Sequence, residues 1–593
     1  MGDGLWCLDY YGLMFRSQRF LGVLALVALL AGPPALGASA ARVQSDNSAL
    51  DRDLFYELLV GELSAQAGDN ASAYALLLDA ARKSRSPRLY QRAVELAVGA
   101  RSGEAALDAA RSWTQAFPAS QEANRYLVHI LIGMNRVADV QEPIKRHLAL
   151  LPEPDRIAAI SQLPRYLNRA TDKKQVASVV QSALTAELSN AATGPTAWST
   201  LGLLRFQAAD SEGAMQAAYR AAALNPKAEE PAFLALAMMG PKLPIAEEFA
   251  RKFLEGKVSP ELRMAYVRNL LDAQRFVDAY DQVQIVTREA PNFTDGWLVQ
   301  GSLEFQTQKL AQAEASLLAY VALHPTIDTV APESREMGRG LVQAYLLLSQ
   351  LAEQSRNFDS AQKYLDRIQN PKDALRVTVR SASLLARQGK MDEARKLIRS
   401  APEVQPEDER TKISAEVQLL RDYKLYAQAY QRLAEAIVQF PQDSELLYDQ
   451  AMLAEKLGRA EEMERLLRRL IAAKPDYHHA YNALGFSLAE RNVRLDEARQ
   501  LITKALEFAP DDPFIVDSLG WVEFRSGRFD EALRLLQTAF QKRPDAEIAA
   551  HMGEVLWTLG QRDKALAVWK KAAEINPDNE TLLETTRRLQ GKL

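Results

Sequence analysis

Cysteine is nearly absent from this chain of 593 residues, and its one thiol, Cys7, stands ahead of everything that reads as folded. No intramolecular disulfide or thiolate metal cage can form there, so packing must stabilise the fold. Histidine is scarce as well: His129, His147, His324, His478, His479 and His551 are the only six, and none has a zinc-ligand spacing such as H-E-x-x-H. The neighbours His478 and His479 cannot share a helix face, which suits a surface or helix-start position. A Walker loop, G-x-G-x-x-G and G-x-S-x-G are all missing. Ser360 and Lys363 spell S-x-x-K, and Ser45, Asp46 and Asn47 spell S-D-N, but no K-T-G completes the set and Ser45 lies in a terminal tail. These absences argue against an enzyme, a metal site and a cofactor. Net charge is only −4, which disfavours nucleic acid held by counterion release.

Long apolar runs are missing with one exception, Phe20 to Ala31 (FLGVLALVALLA), which is shorter than the roughly 20 residues that cross a bilayer. Arg16 and Arg19 precede it, and Ala38, Ser39 and Ala40 follow as an A-x-A cleavage site. Residues 1–40 are therefore expected to be a secretory signal, with Met14 an alternative start and the mature chain opening at Ala41 in the periplasm.

What the chain has in quantity is a period. Pro441, Pro475, Pro510, Pro544 and Pro577 recur about every 34 residues. Each closes a segment of two amphipathic helices, with small residues where the helices must approach: Gly485, Ala498 and Ala505; Gly520, Ala532 and Ala539; Gly553, Ala565 and Ala572. Trp198, Leu201, Gly202, Ala214, Ala218, Ala221 and Pro226 set the same register upstream. Gly485 to Ala498 is one residue longer than its counterparts, which predicts an insertion in the turn near Asn492. The pattern is that of the tetratricopeptide repeat and predicts an all-α superhelical solenoid of fourteen to fifteen helix pairs. Its expected divisions are N-terminal repeats at 41–153, a degenerate helical segment at 154–193, central repeats at 194–341, C-terminal repeats at 342–577 and a polar capping helix at 578–593.

A solenoid presents a surface, so a partner is expected on the concave wall lined by the first helix of each pair. In the last three repeats the candidate groove residues are Asn482, Phe486, Asp517, Trp521, Phe524, Arg525, Glu554 and Trp557. Phe486, Trp521, Phe524 and Trp557 read either as an exposed aromatic stripe able to anchor an interface or as core closed by tight coiling. A carboxylate clamp of the chaperone-binding kind needs Lys, Asn and Arg, which Phe486, Ala550 and Glu554 do not supply.

The stretch from Tyr481 to Leu589, with NALGFSLAERNVRLDEARQLITKALEFAPDDPFIVDSLGW and then HMGEVLWTLGQRDKALAVWKKA, resembles a family of exported proteobacterial tetratricopeptide proteins. One member of that family is an outer-membrane lipoprotein that serves as adaptor for a periplasmic carboxyl-terminal processing protease and helps deliver cell-wall cross-link hydrolases to it. The resemblance implies a protein-binding scaffold whose partners are such a protease and its substrates. A component of peptidoglycan or polysaccharide machinery that binds glycan on the aromatic stripe is the alternative. Where a lipoprotein needs cysteine after Leu30, Ala31 and Gly32, this chain has Pro33, so no lipid anchor is expected.

Overall fold

The computed structural model describes residues 52–324 and 332–590. The expected signal and lipobox positions lie outside them. Among the described residues the regular structure is helical: thirty-one α-helices, arranged as fifteen consecutive pairs and a final single helix, with a few short 3-10 turns. The all-α repeat fold expected from the period is what the chain forms. None of these helices is long and apolar enough to cross a membrane. The chain divides into two compact units that part between Gly340 and Leu341.

The pairing follows from turn chemistry repeated along the chain. In thirteen of the pairs the first helix ends two residues before a residue of positive φ, Gly527 and Gly560 among them. That left-handed residue lets the backbone reverse while the last carbonyls stay bonded: the amide of Arg528 donates to the Glu523 carbonyl and that of Gln561 to the Leu556 carbonyl, both at 2.9 Å. Only five of the thirteen are glycine; Arg101, Asn135, Ala209 and others hold the same conformation despite a side chain. The insertion read near Asn492 is present: Arg491–Arg494 makes a four-residue turn where Ser526–Arg528 and Leu559–Gln561 have three. Asn492 and Arg494 are both left-handed there.

Small residues close each pair. A methyl group on Gly520 would stand 2.8 Å from Leu536 Cγ, and one on Gly485 would stand 2.6 Å from Ile502 Cγ1. On Gly553 it would run into the indole of Trp569. The alanines opposite, Ala498, Ala532 and Ala565, are fully buried, which draws the two axes close and leaves the larger side chains to fill the seam. Aspartates open several first helices: Asp512 accepts from the amides of Phe514 and Ile515, and Asp545 from those of Glu547 and Ile548.

In the first unit, the segment expected to be irregular forms two helices, Glu153–Tyr166 and Lys173–Ala183, each followed by a 3-10 turn. Pro164 sits inside the first of them, which removes one amide from the helical ladder. The pair is nevertheless part of the core, through Ile160, Leu163, Val176 and Val180. His478 and His479 open the helix His478–Glu490 with their rings 4.0 Å apart, so the helix-face argument that separates them does not apply at a first turn.

Candidate partner-binding groove

Three first helices of the second unit, His478–Glu490, Pro513–Arg525 and Ala546–Thr558, carry all eight candidate groove residues. The structure joins five of them and separates the rest. Trp521 is only 4% exposed. Its ring stacks on His551 at 4.4 Å and 25° and meets Phe524 at 5.0 Å, while Phe486 also approaches His551 at 5.8 Å. The indole N–H of Trp521 donates to Glu490, and Arg525 Nη2 donates to the Glu490 backbone carbonyl at 3.2 Å. Asp517 is buried, with both carboxylate oxygens 3.0 Å from His551 Nδ1.

One reading left open is resolved for Trp521, and the expectation of a single stripe changes. Of the two readings of the aromatics, Trp521 takes the core one: coiling places His551 of the next repeat on its face. The four rings do not form one stripe, because Trp557 pairs instead with Trp569 of its own repeat at 5.5 Å, beneath the Arg562 guanidinium at 5.0 Å. Glu554 is buried and held by Arg588 of the final helix. Asn482 stays half-buried, and its Oδ1 accepts no hydrogen bond among the described residues.

His551 is the residue that sequence reasoning missed. Its signal was available, since it follows Asp517 by one repeat length, as Arg588 follows Glu554. In a solenoid of this period, polar partners in adjacent layers recur at that separation. Burial pushes the His551 imidazole toward neutrality, yet Asp517 beside it, with the fields of Glu547 and Glu490, raises it to about 9. The imidazolium–carboxylate pair is therefore charged at neutral pH and dry.

Around this cluster the wall is acidic. Burial raises the carboxyls of Glu547, Asp449 and Glu455 above their usual range, and none of the three forms an ion pair among the described residues. Glu455 nevertheless remains open to solvent.

Models of the tetratricopeptide repeat match residues 448–513 and 523–587, which hold this cluster. These two segments are tetratricopeptide repeats, and the chain that carries them has an all-helical, tetratricopeptide-like solenoid fold. It is similar to a TPR repeat-containing protein of Pseudomonas aeruginosa, 38% identical over 211 residues that make up 36% of each chain. The match thus spans about a third of that relative's length. A TPR repeat-containing protein of Bacillus subtilis is 23% identical over 365 residues, 56% of this chain and 84% of that one. A solved tetratricopeptide repeat protein of Parabacteroides merdae aligns at 16% identity and a TM-score of 0.33, over 42% of this chain and 99% of that one. Tetratricopeptide repeats imply a scaffold for protein–protein interaction.

A second exposed surface lies in the first unit. The helix Arg52–Gln66 turns Gly61 onto Leu77 of its partner helix and leaves a row on its other side open. Phe55 is 56% exposed, Tyr56 63%, Leu59 47% and Leu63 55%. Their spacing puts them along one side of the helix, so the exposed rings and leucines form a continuous apolar strip. Among the described residues, no group of three or more His, Cys, Asp and Glu side chains is placed to hold a metal ion.

Proposed function

We propose that the chain is a non-catalytic periplasmic adaptor, one part of which holds a carboxyl-terminal processing protease while another receives the cell-wall hydrolases that the protease cleaves. The observation that carries the reading is the exposed apolar strip Phe55, Tyr56, Leu59 and Leu63. Rings and leucines at that exposure favour a partner that covers them, and aromatic anchors commonly dominate such contacts. The tetratricopeptide scaffold and the C-terminal resemblance support the choice of partner. An adaptor of this kind acts through effective concentration: with protease and substrate on one scaffold, cleavage becomes nearly intramolecular.

The test is affinity capture from periplasm with the full chain, compared with the double variant Leu59→Asp/Leu63→Asp. Both leucines are exposed, so circular dichroism of the variant should match that of the parent. The parent should capture a protease with its substrates, and the variant should lose the protease. Recovery of glycan without any protease would overturn the reading.

A further inference from the structure

Outside the candidate groove, the second unit contains a cluster of three arginines around one fully buried carboxylate. Glu416, on the helix Asp408–Asp422, is wholly enclosed. Arg395 Nε donates to it at 2.9 Å, Arg399 grips both its oxygens through Nε and Nη2 at 2.7–3.1 Å, and Arg432 Nε donates at 2.9 Å. Burial pushes the Glu416 carboxyl up, but the arginines hold it below its usual range, so it stays ionised.

One carboxylate cannot occupy three guanidinium groups, which together present fifteen N–H donors. Arg395 spends one more on Gln428 Oε1 at 2.9 Å, and neither Arg395 Nη2 nor Arg399 Nη1 makes a hydrogen bond among the described residues. Both side chains line an open cavity of about 510 Å³ along the helix Met391–Arg399, together with Asp392, Lys396 and the capping Ser400. Lys396 is exposed and has no ion-pair partner among the described residues. The nearby acids are mostly committed elsewhere: Glu403 and Glu409 to Lys412, Glu435 to Arg432, and Asp408 to the amides of Val404 and Gln405. The lining therefore offers three cations against the single carboxylate of Asp392.

From this geometry we infer that the cavity beside Arg395, Lys396 and Arg399 is a binding site for a carboxylate side chain of an acidic peptide segment. The guanidinium edges are held in place before binding by a charge the partner never touches, which lowers the ordering cost of a planar, bidentate contact. Asp392 on the rim weighs against a more highly charged oxyanion such as phosphate. The site lies on the second helix of its pair, away from the first-helix positions of the candidate groove. Choosing a peptide over a free anion rests on the protein-binding reading.

The experiment is a titration of the full chain, at low and physiological salt, with a fluorescent Glu-rich hexapeptide, its Gln-substituted counterpart, and inorganic phosphate as competitor. The Glu peptide should bind in a salt-sensitive way and the Gln peptide should not. Lys396→Glu, which leaves the Glu416 contacts intact, should weaken binding by about tenfold or more. Arg399→Lys, which keeps the charge and loses the fork, should also weaken it. Equal binding of the Gln peptide, or a Lys396→Glu variant that binds like the parent, overturns the assignment. Phosphate bound more tightly than the Glu peptide overturns it too. Because neither variant touches Phe55, Tyr56, Leu59 or Leu63, failure here leaves protease capture by the first unit as a separate result.

Discussion

The two units bury different chemistry. Among the described residues up to Gly340 the buried polar side chains are mainly hydroxyls and amides, such as Thr114, Asn124, Thr193, Thr196 and Gln300, with only Glu187, Arg263 and Glu304 as buried acidic or basic groups. Beyond Leu341 the described residues include eight: Glu353, Lys412, Glu416, Arg432, Asp517, Glu523, His551 and Glu554. Most of these are paired to charges on other helices, as Glu353 is to Arg380 and Arg387, and Glu523 to Arg499. Apolar layers tolerate sliding and repacking, whereas a buried charge tolerates only the neighbour that neutralises it. The difference suggests that the second unit uses charge to fix which repeat stacks where, and the first relies on shape.

The strongest way to break that contrast is Glu416→Ala. It leaves Arg395, Arg399 and Arg432 facing one another, and should cost about 3–5 kcal/mol by denaturant unfolding. A loss below about 1 kcal/mol would show that the arginine cluster is not structural. Next, Gly553→Ala drives a methyl group into the Trp569 indole and should cost about 1–3 kcal/mol, as overpacking does. In the first unit Gly61→Ala should cost less, because its nearest neighbour is the Leu77 side chain, at 3.0 Å. Equal losses at the two glycines would remove that distinction.

A smaller effect comes from pH, with opposite signs at two histidines. His551 has a folded value of about 9, above the unfolded value near 6.5, so its contribution is complete below about pH 6.5 and is lost as pH rises through 9. His147 is shifted down by burial and by Arg125, so its contribution is present above the unfolded value and lost on acidification. Melting temperature between pH 5 and 10 should show the alkaline loss in the parent and not in His551→Gln; an unchanged alkaline limb in the variant would refute the pairing. At the small end, Asp511→Ala removes an exposed pair with Lys542 and should leave the melting temperature unchanged.

Much of this architecture was legible in the chain. Gly485, Gly520 and Gly553, with the alanines opposite them, marked the seams, and a one-residue excess located the longer turn at Asn492. The candidate site was less legible, because a period tells which residues repeat but not how tightly successive repeats coil. Phe486 reaches His551 across an intervening repeat, and only the curvature of the stack decides that contact. For the same reason Trp521 could be read as groove or as core from sequence. The apolar strip on Arg52–Gln66 escaped notice because this first repeat keeps the period loosely, and which of its apolar residues lack a neighbour depends on the fold.

The pairing of Asp517 with His551 carries a consequence for how such an array can grow or shrink. Were the Asp517-bearing helix pair excised and the chain rejoined, His551 would stack on the helix of Asn482, which offers an amide where a carboxylate stood. A buried imidazolium would lose its counter-charge at the new junction. The repeats look interchangeable in outline, yet these layers are keyed, and evolution could not delete or duplicate one without recutting its neighbour.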